Sequence, residues 1–179
     1  FVNGIEIAKH LNTLPIPYDK AGHFNSEAGF DTFEDLLRFC YLIEHQQKFQ
    51  VDNLVGLQSL PEKPNNKAVI LLHGFGTNKH EWGRYDYETY YLTKQGYSVF
   101  RFDCTGRGES EGDYSQTSID VMAQDLNKIC DFVYSTLGFE NYAIIAQSMG
   151  TNATIVSSLS TVSTIILCAS ISDPDKYVA

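Results

Sequence analysis

No apolar run in the sequence reaches the ~18 residues that a membrane-spanning helix needs. Nor do Lys and Arg gather into a nucleic-acid surface: 13 basic residues stand against 22 acidic ones, for a formal charge of -9. Cysteine is sparse and scattered. Cys40, Cys104, Cys130 and Cys168 contain no C-x-x-C pair, which excludes the common zinc and redox motifs. Cys104 and Cys168 end apolar runs and Cys130 lies in a helical pattern, as buried free thiols do in a reducing, cytoplasmic compartment. Short-period repeats and low-complexity tracts are also missing. The chain opens "FVNGIEIAKH" without an initiator Met, so the lack of a signal peptide carries no weight. What is present is 179 residues with 43% hydrophobic content, enough for one ordinary core.

From Lys67 onward the hydrophobic period alternates regularly. "KAVILLHG" (67–74) is a continuous apolar run that reads as a doubly buried strand. Residues 81–95 read as a helix stopping at Gly96, and "YSVFRFDC" (97–104) as a second strand. Residues 118–137 have helical spacing and end at Gly138. "NYAIIAQ" is a third strand, 149–159 a helix, and "VSTIILCAS" (162–170) a fourth strand. This order predicts an α/β fold: a mostly parallel sheet with right-handed crossovers and helices on both faces. Ahead of it, residues 48–62 read as a hairpin turning at Asp52-Asn53. The first 47 residues differ. They suggest a helix, a proline-interrupted strand, a polar loop around His23, and an amphipathic helix opened by a Thr32-x-x-Asp35 capping box.

Three motifs carry chemistry. "AQSMG" puts Ser148 where a strand turns directly into a helix, flanked two residues away by Ala146 and Gly150. Such a turn admits only small neighbours, and it presents a serine as a nucleophile; a helix-capping serine is the plainer alternative. "HGFG" (73–76) follows the first buried strand, where the Phe75 N–H, with that of Met149, forms a two-donor oxyanion hole. The His73 side chain reads as packing. "DCTGRGES" (103–110) is a glycine-rich loop of structural role. It does not fit G-x-G-x-x-G, and Glu109, Glu111 and Asp113 would repel a pyrophosphate.

Taken together, H-G-F-G, D-x-x-G-x-G-x-S and A-x-S-x-G in this order resemble the α/β-hydrolase superfamily across residues 48 to about 170. Within it, "HGFGTNKHEW" and the stretch after Phe102 look most like cinnamoyl/feruloyl esterases. The resemblance implies an incomplete α/β-hydrolase fold, a Ser–His–acid triad with Ser148 as nucleophile, the Phe75 and Met149 oxyanion donors, no cofactor and no metal. It also implies a small-molecule ester substrate. A non-catalytic α/β-hydrolase-fold interaction or regulatory module is the alternative, because the triad is incomplete here. Oligomeric state cannot be read.

All five histidines (His10, His23, His45, His73 and His80) precede Ser148, whereas in this superfamily the acid and histidine follow the serine. Asp173 is a minority position for the acid. Residues 1–47 resemble the C-terminal end of YdeN-like small serine hydrolases, which makes His23 a catalytic histidine by that match. The expectation is therefore a fragment spanning two tandem domains: 1–47 closing one hydrolase and 48–179 opening another. Circular permutation, with His23 serving Ser148, is the competing arrangement.

Overall fold

The computed structural model describes residues 41, 45–159 and 161–170. The chain divides into two compact units, Phe1–Asp35 and Leu36–Ala179, and every described residue belongs to the second. His23 and Asp173 lie outside the described residues.

Among the described residues six strands form one sheet: β1 (Gln46–Val51), β2 (Leu54–Ser59), β3 (Ala68–Leu72), β4 (Ser98–Phe102), β5 (Tyr142–Gln147) and β6 (Thr164–Cys168). Their order is β1-β2-β4-β3-β5-β6. The β1–β2 and β2–β4 pairs are antiparallel, and the remaining pairs are parallel. The β1–β2 hairpin turns at the predicted place, with Asp52 at φ 50°.

Helices α1 (Arg84–Lys94), α2 (Ile119–Asp131) and α3 (Met149–Val156) make the crossovers. Because β4 and β5 flank β3 on opposite sides, right-handed crossovers put α1 on one face and α2 on the other. The alternation of β3 records this. Val69 and Leu71 pack with Tyr85 of α1, whereas Ile70 and Leu72 share a core with Met122, Leu126 and Ile129 of α2 and Ala153 of α3. Arg101 of β4 falls on the α1 face, where its buried guanidinium pairs with Asp86 and Gln46.

Three helix boundaries differ from the sequence expectation. The α-helix expected from residue 81 begins at Arg84, because Glu81, Trp82 and Gly83 all take positive φ. α2 is capped by Ser118, whose Oγ accepts from Val121 N–H at 3.1 Å, but it widens after Asp131 into a π-turn over Phe132–Thr136. α3 stops at Val156 rather than 159. Cys104 and Cys130 are buried free thiols as expected, while Cys168 is only half-buried. No helix among the described residues is long and apolar enough to cross a membrane.

Candidate functional site

The three motifs converge at the C-terminal ends of β3, β4 and β5. There the strand order reverses about β3, the position where open α/β sheets have a crevice. Ser148 joins β5 to α3 with φ 49° and ψ -121°, a conformation that costs a non-glycine residue about 1–3 kcal/mol. Its N–H donates to the Cys168 carbonyl at 2.9 Å, and its carbonyl accepts from Thr151 N–H at 2.9 Å and Thr151 Oγ at 2.6 Å. These bonds tie the turn to β6 and to the first turn of α3, leaving the serine side chain half-buried.

The small neighbours have a steric reason. Ala146 is fully buried in the sheet. A Cβ on Gly150 would stand 2.6 Å from the His73 carbonyl and 2.9 Å from that of Leu72, so α3 passes directly over the end of β3. A Cβ on Gly74 would stand 3.1 Å from the Ser148 Cβ. The Gly74–Phe75 peptide therefore lies beside the serine. The N–H groups of Phe75 and Met149 have no hydrogen-bond partner among the described residues. Two amides left open next to a half-buried hydroxyl can receive a developing negative charge. The Phe75 ring is itself exposed and leans on Tyr114, at 5.8 Å between centroids.

His73 is buried and points away from reaction. Its Nε2 accepts from Cys104 N–H at 3.1 Å, which assigns the proton to Nδ1, and Nδ1–H donates to the Gly74 carbonyl at 2.8 Å. Burial lowers its pKa and keeps it neutral. It is the packing histidine that the sequence suggested, and it also sets the plane of the Gly74–Phe75 peptide.

The glycine-rich loop is built around Asp103, which is wholly buried. Its carboxylate accepts from Lys79 Nζ (2.6 Å), Lys79 N–H (2.8 Å) and Glu109 N–H (2.9 Å). Gly108 is obligatory: at φ 52°, a Cβ would fall 2.1 Å from the Asp103 Oδ2. Glu109 closes the cluster on Lys79 (2.9 Å) and Lys48 (2.8 Å), and those two ammonium groups hold its pKa at about 2. Asp125 of α2 accepts from the N–H and hydroxyl of Thr105. Burial nevertheless raises its pKa. The loop is thus a polar brace between β3 and β4. Among the described residues no group of His, Cys, Asp and Glu is arranged to hold a metal ion.

Ser148, Met149 and Phe75 are accordingly brought together, and His23 is not among the residues described. Sequence reasoning missed Glu81, Lys79 and Thr77, all buried here. Glu81 read as the first residue of a helix, and Gly83, two residues on, is the local signal by which the turn of positive φ could have been found.

Known proteins support this architecture. Residues 63–179 match the family described as serine aminopeptidase, S33. A 2-hydroxy-6-oxononadienedioate/2-hydroxy-6-oxononatrienedioate hydrolase of Burkholderia vietnamiensis is 30% identical over 96 residues, 53% of this chain and 32% of that protein. An esterase of Pyrococcus furiosus superposes with a TM-score of 0.60 at 22% identity, covering 70% of this chain and 49% of its own. A carboxyl esterase of Bacillus coagulans does so with 0.55 at 22% identity, covering 69% and 43%. The two superpositions show a shared fold. The chain spans about a third of the length of the curated relatives it matches, and about half of the solved esterases or less. The family match extends over well more than half of the chain, and the protein belongs to the serine aminopeptidase S33 family of α/β-hydrolases.

Proposed function

We propose that the whole protein is a serine hydrolase that cleaves small-molecule carboxylic esters by acyl transfer through Ser148. The observation that carries this reading is the positive φ of Ser148 at the β5–α3 junction, pressed against Gly74. A capping serine has no need of that backbone. The Ser148 hydroxyl attacks the ester carbonyl, a histidine removes its proton, and the Phe75 and Met149 N–H groups stabilise the tetrahedral oxyanion. The alcohol leaves with that proton, and water then releases the acid from the acyl-serine. Solved esterases of the same fold favour an ester substrate.

The histidine and the triad acid belong, in this reading, to chain beyond the described residues. β6 supports it. A parallel strand is normally covered on both faces, yet Ile165, Ile166 and Leu167 are 42%, 47% and 41% exposed. Residues 48–179 are then the front half of a hydrolase domain, and 1–47, with His23, the closing segment of another. Free buried thiols suit a cytoplasmic setting. Within the second unit the Tyr41 ring meets Tyr90 of α1 edge-on at 5.6 Å and lies 3.8 Å under Lys94 Nζ.

Turnover of p-nitrophenyl acetate by the full-length protein tests the proposal. Ser148→Ala is expected to lower kcat at this site by about 10⁴-fold or more, any remaining turnover being that of the upstream domain. Undiminished turnover would show that Ser148 is not the nucleophile and that the hydrolysis takes place elsewhere in the protein, which leaves this part of the chain a non-catalytic module.

A further inference from the structure

Glu81 does something that the start of a helix does not require. Its buried carboxylate turns away from α1 and into the loop beside Ser148. There Oε2 accepts from Gly74 N–H at 2.8 Å and from the Thr77 hydroxyl at 2.6 Å. Thr77 has one hydroxyl proton, and the shorter contact to the carboxylate takes it. The 3.2 Å approach of Thr77 Oγ to the Gly74 carbonyl is then left without a donor, and that carbonyl is served by His73 Nδ1–H. Gly74 is held from both sides: its N–H by Glu81, its carbonyl by His73. The Phe75 N–H shares a rigid plane with that carbonyl and points the opposite way, so fixing Gly74 fixes the Phe75 donor.

The backbone of this segment shows what holds it. Glu81 (φ 44°), Trp82 (φ 58°) and Gly83 (φ 89°) are three successive residues at positive φ, two of them not glycine. The turn leaves the Trp82 ring 86% exposed. Neither helix propensity nor burial of the indole supplies a reason for this conformation. Backbone bonds close the turn, from Glu81 N–H to the Asn78 carbonyl and from Gly83 N–H to the His80 carbonyl, both at 2.9 Å, and the two bonds of the Glu81 carboxylate tie it to Gly74 and Thr77. Such outliers persist only where the surroundings over-determine them.

We propose that Glu81 is a positioning residue, whose carboxylate locks Gly74 and thereby aims the Phe75 N–H at the oxyanion formed on Ser148. The inference rests on the esterase reading given above. It requires a hydrogen-bond acceptor at this position, placed at the reach of a glutamate side chain.

The test uses the full-length protein, p-nitrophenyl acetate, and an aryl trifluoromethyl ketone whose serine adduct places an oxyanion in the same hole. Active sites are counted by fluorophosphonate titration. Glu81→Ala should lower kcat by about 10²-fold, the scale of one lost oxyanion donor, with KM changed only a few-fold. Ketone affinity should fall by the same factor. Glu81→Gln, which keeps a side-chain oxygen at the same reach, should recover most of the loss. Should the Ala variant not fold, Glu81→Asp keeps the charge but is one methylene too short, and should lose kcat in the same direction. A folded Ala or Asp variant with wild-type kcat and ketone affinity overturns the inference. So does a Gln variant as impaired as Ala, or a loss that reflects only fewer active sites. If Ser148→Ala leaves turnover intact, the site reading itself fails. If Ser148→Ala abolishes turnover while the Glu81 variants keep theirs, only this inference does.

Discussion

Strands β3 and β6 are composed almost alike and sit in different surroundings. In "AVILL" (68–72) every residue is buried, at 3% exposure or less. In "TIILC" (164–168) the three central aliphatic residues are each two-fifths exposed or more. The difference lies in their neighbours. β3 has β4 and β5 on its two edges and a core on each face, whereas among the described residues β6 pairs with β5 alone. An apolar run thus records a demand for cover, and at β6 that demand is not met among the described residues. The serine turn lies between the two strands, braced towards β3 by Gly150 and Gly74 and tied towards β6 by one backbone bond to Cys168.

Side-chain truncation in the two strands puts numbers on the contrast. Ile70→Ala should cost about 2–5 kcal/mol in urea unfolding, through lost burial and a cavity between β3 and α2. Next comes the turn itself: Ala146→Leu should cost about 1–3 kcal/mol by overpacking, while Ala146→Gly should fold and keep any activity. If the Leu variant is as stable as wild type, strand and helix do not meet closely at Ser148. A smaller effect is expected at the edge. Ile166→Ala in this 179-residue chain should change stability by about 0.5 kcal/mol. A cost near that of Ile70→Ala would mean that β6 is covered in solution, and the comparison between the strands would fall.

Much of this architecture was legible because it follows from periodicity. The continuous apolar runs, their glycine stops and the β1–β2 turn located all six strands to within a few residues, and the order of elements implied the parallel sheet. The three motifs also placed Ser148, Phe75 and Met149 at one end. Less legible were features decided by tertiary contact. Of residues Glu81 to Gly83 the glycine alone signals positive φ in the sequence; Glu81 and Trp82 give no such signal, and the bonds of Glu81 to Gly74 and Thr77 are tertiary contacts. The end of α2 at Asp131 likewise lies inside a pattern that continues apolar to Leu137. Burial of Lys79 follows from Asp103, 24 residues away, and no reading of its neighbours would find it.

The smallest expected effect concerns His23. In the tandem arrangement His23→Ala leaves ester turnover at Ser148 of the full-length protein nearly intact. A loss of orders of magnitude would show that the permuted single site operates, and that the boundary near Lys48 is wrong.

The central claim is that the turn between β5 and α3 presents Ser148 as a nucleophile. Treating the full-length protein with a fluorophosphonate and mapping the adduct by peptide mass spectrometry tests it most directly. The account predicts one covalent adduct on the peptide containing Ser148, absent from Ser148→Ala. An unmodified Ser148 peptide in active protein, or the same adduct in the alanine variant, would contradict it.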